Sequence, residues 1–170
     1  RHAPHEAPEP TDEDIDDAAR AIGAQTSTTP FLVYLRDKSM LFNDDRTAFV
    51  MYGVRGRTWV ALGDPVGPDA CMSDMIRRFL ERCDDFGGIP AFYEVGPAHL
   101  HRYADFGLTF MKLGEQAKID LTAFSLEGGQ AAKYRNALRR LEKEGGSFRL
   151  VMPPDVPALM DQLRAVSDDW

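Results

Sequence analysis

A run of basic residues late in the chain is the sequence feature best suited to binding an anionic ligand. Residues 130–149 hold six Lys or Arg against two Glu, net +4, although the whole chain has 20 basic and 27 acidic residues, net −7. At 100° per residue, five cations spread over one side of a predicted helix, 130–144. They are Lys133, Arg135, Arg139, Arg140 and Lys143. Each could neutralise a phosphate of RNA or of a lipid head group. The alternative is an ordinary solvated face, with Glu142 and Glu144 as partial partners.

A glycine-bearing turn, GDPVGP at residues 63–68, joins a predicted strand to a predicted helix. Turns of this kind can hold a phosphate on backbone N–H groups. The spacing here matches neither GxxxxGK[ST] nor GxGxxG, and the charge of Asp64 would repel an anion. We therefore expect either a structural turn or a wall of a substrate pocket.

Histidine and serine residues do not form a recognisable catalytic or metal site. The four histidines are His2, His5, His99 and His101. The last two are two residues apart on a predicted short helix and so do not share a face. Ser125 and Ser147 lack the context of a nucleophile elbow. Glu94 and Glu115 are candidate pocket residues, but we predict no catalytic residue and no metal ligand.

A mixed α/β arrangement must position these residues. The predicted strands span 31–36, 39–42, 47–54, 58–62 and 89–95, with one or two more within 108–121 and a last one at 148–152. The predicted helices begin at Thr11, at about Met72, at Ala98, at Gln130 and at Asp155. Turn residues between the early strands indicate an antiparallel meander over 38–64. The order of elements predicts a mixed sheet with helices on its faces.

Length and composition indicate one folded domain. The chain has 170 residues, 44% of them apolar, which is enough for a sizeable core. Residues 1–10 include three Pro and few apolar side chains, and we predict a disordered linker there. Cys71 and Cys83 are three helical turns apart and cannot pair. The last predicted helix has no stop signal before Trp170, which suggests that the chain is cut inside a larger unit.

A succession of short motifs extends over nearly all of the predicted fold. They are Asp37-Lys38, FVMYG at 49–53, GRTWVALGDPVG at 56–67, FYEV at 92–95, KLGEQA at 112–117, FSLEGG at 124–129 and the basic run 133–140. Together they resemble the cytosolic C-terminal domain of the phosphatidylglycerol lysyltransferases, also called multiple peptide resistance factors or aminoacyl-phosphatidylglycerol synthases. The resemblance extends from about Asp37 to Trp170.

The resemblance implies two acetyltransferase-like (GNAT-like) units in tandem, each a mixed, mostly antiparallel sheet flanked by helices. It also implies a position at the cytoplasmic face of the bacterial inner membrane, behind a membrane-spanning domain. In that family the soluble part moves lysyl or alanyl from charged tRNA to the glycerol hydroxyl of phosphatidylglycerol. No cofactor is needed, because the activated ester arrives on the tRNA. The cationic lipid product gives resistance to cationic antimicrobial peptides.

The family length implies that this chain covers 11–129 as the first GNAT-like unit, and 130–170 as the basic inter-unit helix, a strand and the start of a truncated second unit. The family's catalytic residues come largely from the second unit, so we expect this chain to be inactive alone. The basic helix is the candidate contact for tRNA or lipid phosphates, and Lys112, Glu115 and Asp64 are candidate pocket-wall residues. The implied partners are aminoacyl-tRNA, phosphatidylglycerol, the membrane surface and the second unit, with a homodimer as a further expectation.

Two other hypotheses stay open at this stage. One is a Fem-like peptidyltransferase or a GNAT N-acyltransferase, although the chain lacks the [QR]xxGx[GA] run that holds coenzyme A in such acetyltransferases. The other is a non-catalytic module that binds anionic membranes or RNA through the basic helix.

Overall fold

A computed structural model describes residues 7–23 and 27–170 of the chain. These residues form two compact units, one ending at Gly114 and the other spanning Glu115–Trp170. In the described ranges, no helix is both long enough and apolar enough to cross a bilayer. The predicted linker 1–10 lies mostly outside these ranges, as do His2 and His5. Of its last four residues, Pro8 accepts a hydrogen bond at its carbonyl from the hydroxyl of Ser39.

A four-stranded sheet forms the centre of the first unit. Its strands are β1 (Ser39–Phe42), β2 (Phe49–Arg55), β3 (Thr58–Leu62) and β4 (Ile89–Tyr93). The spatial order is β1-β2-β3-β4, with the first two pairs antiparallel and the last pair parallel. The predicted meander and the predicted mixed, mostly antiparallel sheet flanked by helices are both confirmed. A parallel pair needs a long crossover, which a helix provides here.

The described residues form five α-helices. They are α1 (Asp12–Ile22), α2 (Met72–Asp85) and α3 (Leu100–Ala104) in the first unit, and α4 (Ala132–Lys143) and α5 (Met160–Asp168) in the second. The predicted cap of α1 is confirmed: the Asp14 N–H donates to the Thr11 hydroxyl at 3.2 Å, and the Thr11 N–H donates back to Asp14 at 2.9 Å. This reciprocal pair satisfies two donors that the first helical turn leaves without intrahelical partners.

The core of the first unit has one layer of side chains on each face of the sheet. On one face α2 packs Met75, Phe79 and Cys83 against alternate strand residues. On the other face α1 packs Ala18 and Ile22 in the same way. Strand β2 is buried on both faces because it is central in the sheet. Both cysteines are free thiols.

The GDPVGP turn packs against the sheet. Val66 exchanges two 2.8 Å backbone hydrogen bonds with Phe49. Gly67 has a φ of 137°, and a Cβ there would lie 2.6 Å from the Cβ of Ala48. Both the backbone conformation and the close approach require glycine at this position.

The predicted strand 31–36 is wrong, because the chain forms a 3-10 helix there, Thr29–Leu35. Pro30 occupies its first turn, where a missing N–H costs nothing. Burial follows a period of three, with Pro30 and Val33 facing the core. β-branched and aromatic residues suit both structures, so composition pointed to the wrong one.

The predicted strands within 108–121 and at 148–152 are also wrong. Neither segment pairs with another strand in the part of the chain that the structure describes. A strand needs a neighbour for its backbone groups, and the apolar alternation of a segment cannot supply one. The helix expected from Asp155 begins as a 3-10 helix, Pro153–Leu159, and becomes α-helical only at Met160.

Candidate functional site

Helix α4 brings all five predicted basic residues onto one 12-residue element, as the sequence indicated. Four of them are exposed to solvent, namely Lys133, Arg139, Arg140 and Lys143. Arg135 is half-buried. An α-helix rises by about 1.5 Å per residue, so the charges from Lys133 to Lys143 extend over roughly 15 Å of the helix axis.

Arg135 has a structural role that its sequence position did not reveal. Its guanidinium donates to the carbonyl oxygens of Leu126 and Gly128, the latter at 2.8 Å. These carbonyls lie in the turn that precedes α4. Arg135 therefore ties that turn to the first half of the helix, and a phosphate would compete with these two acceptors.

The remaining cations differ in how strongly neighbouring groups engage them. Arg140 pairs with Glu144 at 3.2 Å, and both side chains are well exposed. Lys133 lies 5.0 Å from the ring centre of Tyr134. Among the described residues, Arg139 and Lys143 have no ion-pair partner within 4 Å. These two therefore offer their charge to an external anion at the least cost in lost contacts.

The apolar side of α4 is less buried than its pattern predicts. Ala131, just before the helix, is buried, but Tyr134, Leu138 and Leu141 are 48%, 45% and 46% exposed. The second unit also exposes apolar side chains elsewhere, including Phe148 and Trp170. Helix periodicity correctly identified the apolar side but could not show what covers it.

Asp64 lies where the chain leaves β3, beside the loop that follows β4. One carboxylate oxygen accepts a 2.8 Å hydrogen bond from the Tyr103 hydroxyl, and the other accepts a 2.9 Å bond from the Gly96 N–H. Burial raises the pKa of Tyr103, and the adjacent Asp64 charge raises it further. Tyr103 therefore stays a neutral donor, and the carboxylate connects three segments of the first unit.

The contacts around Asp64 include residues that sequence reasoning missed. Tyr103 is 39 residues from Asp64, and no local pattern links the two. Its neighbour Arg102 donates to the carboxylate of Asp69, at 2.7 and 2.8 Å, just before α2. These hydrogen bonds lower the pKa of Asp69. Only the tertiary structure shows that α3 anchors both turns.

The other two candidate pocket residues lie in a segment without helix or strand. Lys112 and Glu115 are both exposed, and the boundary between the two compact units falls between them. Across residues 7–23 and 27–170, no group of three or more His, Cys, Asp or Glu side chains could hold a metal ion. The structure thus places five basic residues on α4, four of them exposed, and fixes Asp64 by hydrogen bonds from Gly96 and Tyr103.

Comparison with known proteins identifies relatives over most of the chain. The family model described as "Phosphatidylglycerol lysyltransferase, C-terminal" matches residues 20–170. The phosphatidylglycerol lysyltransferase of Staphylococcus xylosus is 36% identical over 139 residues, and that of Staphylococcus aureus strain MRSA252 is 35% identical over the same length. Each alignment covers 82% of this chain and 16% of the relative.

Two solved structures share the fold. The C-terminal domain of a putative lysylphosphatidylglycerol synthetase from Agrobacterium fabrum is 41% identical, with a TM-score of 0.86, covering 93% of this chain and 50% of that one. The L-PGS structure from Bacillus licheniformis is 32% identical, with a TM-score of 0.82, covering 95% and 51%. This chain thus spans about half of each solved chain and about one-sixth of the curated relatives. It belongs to the family of phosphatidylglycerol lysyltransferase C-terminal domains.

Proposed function

We propose that this chain is the first GNAT-like unit, with the inter-unit helix, of an enzyme that moves a lysyl or alanyl group from charged tRNA to phosphatidylglycerol. The names of its relatives support the lipid acceptor and the lysyl group. The observation that carries the phosphate-binding role is the exposed positive charge of α4 on a chain whose net charge is −7. A cationic stripe on an acidic protein favours contact with a phosphate-rich ligand at that stripe.

The proposed reaction is an acyl transfer between two oxygen atoms. The glycerol hydroxyl of the lipid forms a new ester bond to the aminoacyl carbonyl carbon, and the ester bond to the ribose oxygen breaks. The proton of the glycerol hydroxyl ends on the ribose oxygen, so atoms and charges balance. Because the ester is already activated, positioning of the two substrates and stabilisation of the oxyanion supply the acceleration.

Within this scheme, α4 binds substrate phosphates through Arg139, Lys143, Lys133 and Arg140. Arg135 holds the helix in place through its two carbonyl contacts. Asp64, Lys112 and Glu115 remain our candidates for the pocket wall, with Asp64 acting as a fixed part of that wall. We assign no catalytic residue to this chain.

A second GNAT-like unit of the same parent protein is the partner that best accounts for the apolar surface of residues 115–170. Tyr134, Leu138 and Leu141 form a half-exposed stripe along α4, and stripes of this kind are normally covered. The solved relatives are about twice as long as this chain. We therefore propose that this chain is inactive alone, and that a homodimer is a weaker substitute for the missing unit.

The proposed setting is the cytoplasmic face of a bacterial inner membrane, where charged tRNA and phosphatidylglycerol are both available. A lysylated lipid carries extra positive charge and makes the membrane surface less attractive to cationic peptides. Resistance to cationic antimicrobial peptides is the proposed consequence for the cell.

The test is transfer of labelled lysine from charged tRNA to phosphatidylglycerol vesicles. We expect product from the parent protein that contains this chain and none from the 170 residues alone. In the parent protein, the double substitution Arg139→Gln and Lys143→Gln should raise KM for tRNA or lipid with a smaller effect on kcat. Arg164→Gln, on the exposed surface of α5, is the matched control and should leave both constants unchanged.

Three results would contradict this proposal. Robust transfer by the 170-residue chain would refute its inactivity alone. Tight binding of coenzyme A, measured by calorimetry, would favour an N-acyltransferase instead. If the parent protein transfers no lysine or alanine but still binds vesicles through α4, the non-catalytic docking module becomes the better account.

A further inference from the structure

The 3-10 helix Thr29–Leu35, which we call the apolar turn, presents an exposed hydrophobic surface on the first unit. Its inner side is fixed, because Pro30 and Val33 are buried and Val33 belongs to the core layer between α1 and the sheet. Its outer side carries four large apolar side chains. They are Phe31, Leu32, Tyr34 and Leu35, exposed by 52%, 39%, 50% and 64%.

These exposed side chains are grouped on one short helix rather than scattered over the unit. The rings of Phe31 and Tyr34 are neighbours, with centroids 6.3 Å apart, and Leu32 and Leu35 lie on the same seven-residue turn. Single exposed apolar residues need no explanation, whereas a grouped set that the core holds in place indicates an interaction site. The apolar turn is therefore a built feature of the first unit.

The charged groups that follow the apolar turn are paired. Arg36 contacts Asp12 of α1 at 2.7 Å, and Lys38 contacts Asp37 at 2.5 Å. Any partner of the apolar turn therefore meets an apolar surface whose flanking charges already neutralise each other. Attraction to this surface would come from burial of apolar groups and would depend little on salt.

The size of the apolar turn argues against a second copy of the chain as its partner. With about 200 Å² per fully exposed side chain, the four exposed fractions amount to roughly 400 Å². A stable protein interface buries about 800 Å² on each partner. A bilayer has no such threshold, because its binding strength scales with the apolar area that enters the boundary between head groups and acyl chains, so a patch of this size contributes weak, reversible attachment.

We propose that the apolar turn inserts into the surface of a phospholipid bilayer and holds the first unit against it. The proposal rests on the proposed function only in that the acceptor lipid lies in such a surface. Phenylalanine and leucine enter the acyl boundary, while the hydroxyl of Tyr34 stays at head-group level, where tyrosine is enriched in membrane proteins. The apolar turn thus differs from α4, whose binding to anionic lipid or RNA depends on charge.

The test uses a tryptophan at the apolar turn and lipids that carry a fluorescence quencher on the acyl chain. Tyr34→Trp is made together with Trp170→Phe, which removes the exposed native tryptophan. Ile89→Trp in the same background is the matched control, since Ile89 is 53% exposed on β4 of the same unit. In phosphatidylcholine vesicles that contain the quencher lipid, we expect the fluorescence of the introduced indole to be quenched at position 34 and not at position 89.

A second measurement compares vesicle partitioning of substituted chains. Phe31→Ser with Leu35→Ser should lower partitioning by about tenfold, because two half-exposed apolar side chains lose their transfer free energy. Ile89→Ser should leave it unchanged, and added salt should have little effect on the unsubstituted chain with phosphatidylcholine. Thermal unfolding of each variant shows that it is folded.

Several outcomes would overturn the inference. Equal quenching at both positions, or none at position 34, shows that the apolar turn does not enter the bilayer. Self-association of the chain without vesicles that the double serine variant abolishes would assign the apolar turn to a second copy instead. Lysine transfer by the parent protein is measured separately. If transfer occurs but the indole at position 34 is not quenched, this inference is refuted and the proposed function is not.

Discussion

The hydroxyl of Tyr103 in α3 donates a 2.8 Å hydrogen bond to the carboxylate of Asp64, in the turn after β3. The Gly96 N–H, in the loop after β4, donates to the other carboxylate oxygen. Strands β3 and β4 are parallel, so their following loops leave the sheet at the same edge. A single carboxylate therefore fixes the position of both loops and of α3.

Replacement of Tyr103 by Phe should lower the free energy of unfolding by about 1–2 kcal/mol, because a half-buried carboxylate oxygen loses the side-chain donor that the described residues provide for it. Urea unfolding followed by circular dichroism measures the change. Tyr93→Phe removes a hydroxyl from an exposed tyrosine and should alter the unfolding free energy by less than about 0.5 kcal/mol. Equal losses in the two variants would show that the Asp64 contact contributes nothing specific.

Gly88, just after α2, packs directly against the indole of Trp59. A Cβ at this position would lie 2.5 Å from Cδ1 of Trp59, and Trp59 cannot retreat because it stacks on Tyr52 with ring centroids 5.3 Å apart. Gly88→Ala should therefore destabilise the chain by about 1–3 kcal/mol through overpacking. Gly53→Ala in β2 is the control, since among the described residues no atom beyond its two chain neighbours lies within 4 Å of its added Cβ. A neutral Gly88→Ala in urea unfolding would contradict this packing argument.

The sequence was most informative where local signals and tertiary structure agree. The meander from β1 to β3 follows from turn residues between alternating runs, and α2 and α4 follow from apolar spacing at the helical period. The strand prediction within 108–121 was wrong because a strand depends on a partner elsewhere in the chain. The prediction of a strand at 31–36 was wrong because the residue types of the 3-10 helix Thr29–Leu35 suit strands equally well.

In the candidate site, too, the sequence predicts what depends on local spacing and misses what depends on tertiary contacts. The basic stripe of α4 depends only on helical spacing, so the sequence could place its five residues on one element. The contacts that hold Arg135 to the carbonyls of Leu126 and Gly128, and Asp64 to Tyr103, depend on how loops return to the fold. No residue spacing encodes those contacts, which add structural roles for Arg135 and Asp64 that the sequence did not indicate.

Asp14 should make the stability of the first unit depend on acid pH. Burial alone would raise its pKa, but hydrogen bonds from Thr11 and Arg46 outweigh burial and lower the pKa below its usual value. A carboxyl with a lowered folded-state pKa stabilises the fold above its unfolded value of about 4, and that contribution is lost as pH falls through the folded pKa. Unfolding by urea from pH 7 downward should therefore show a loss of stability below about pH 4 that is smaller in Asp14→Asn.

The control for this pH dependence is Asp16→Asn, which makes the same charge change on the exposed side of α1. It separates the effect of net charge from the effect of the contacts that Asp14 makes. If both variants flatten the acid limb of the stability profile equally, the interactions with Thr11 and Arg46 do not cause it.

Arg135 and Arg139 lie one turn apart on α4, and their substitutions should have different consequences. Arg135→Gln loses two contacts with backbone carbonyls and should lower the thermal stability of α4 without a matching change in the salt dependence of RNA binding. Arg139→Gln should leave helix content unchanged and reduce the slope of log binding constant against log salt by about 0.7–0.9, because one phosphate contact fewer releases one counterion fewer. Circular dichroism during heating and RNA titrations at several salt concentrations measure the two effects on the same samples. An equal loss of salt slope in both variants would mean that Arg135 leaves its carbonyl partners to bind phosphate, so that the turn before α4 rearranges when the ligand binds.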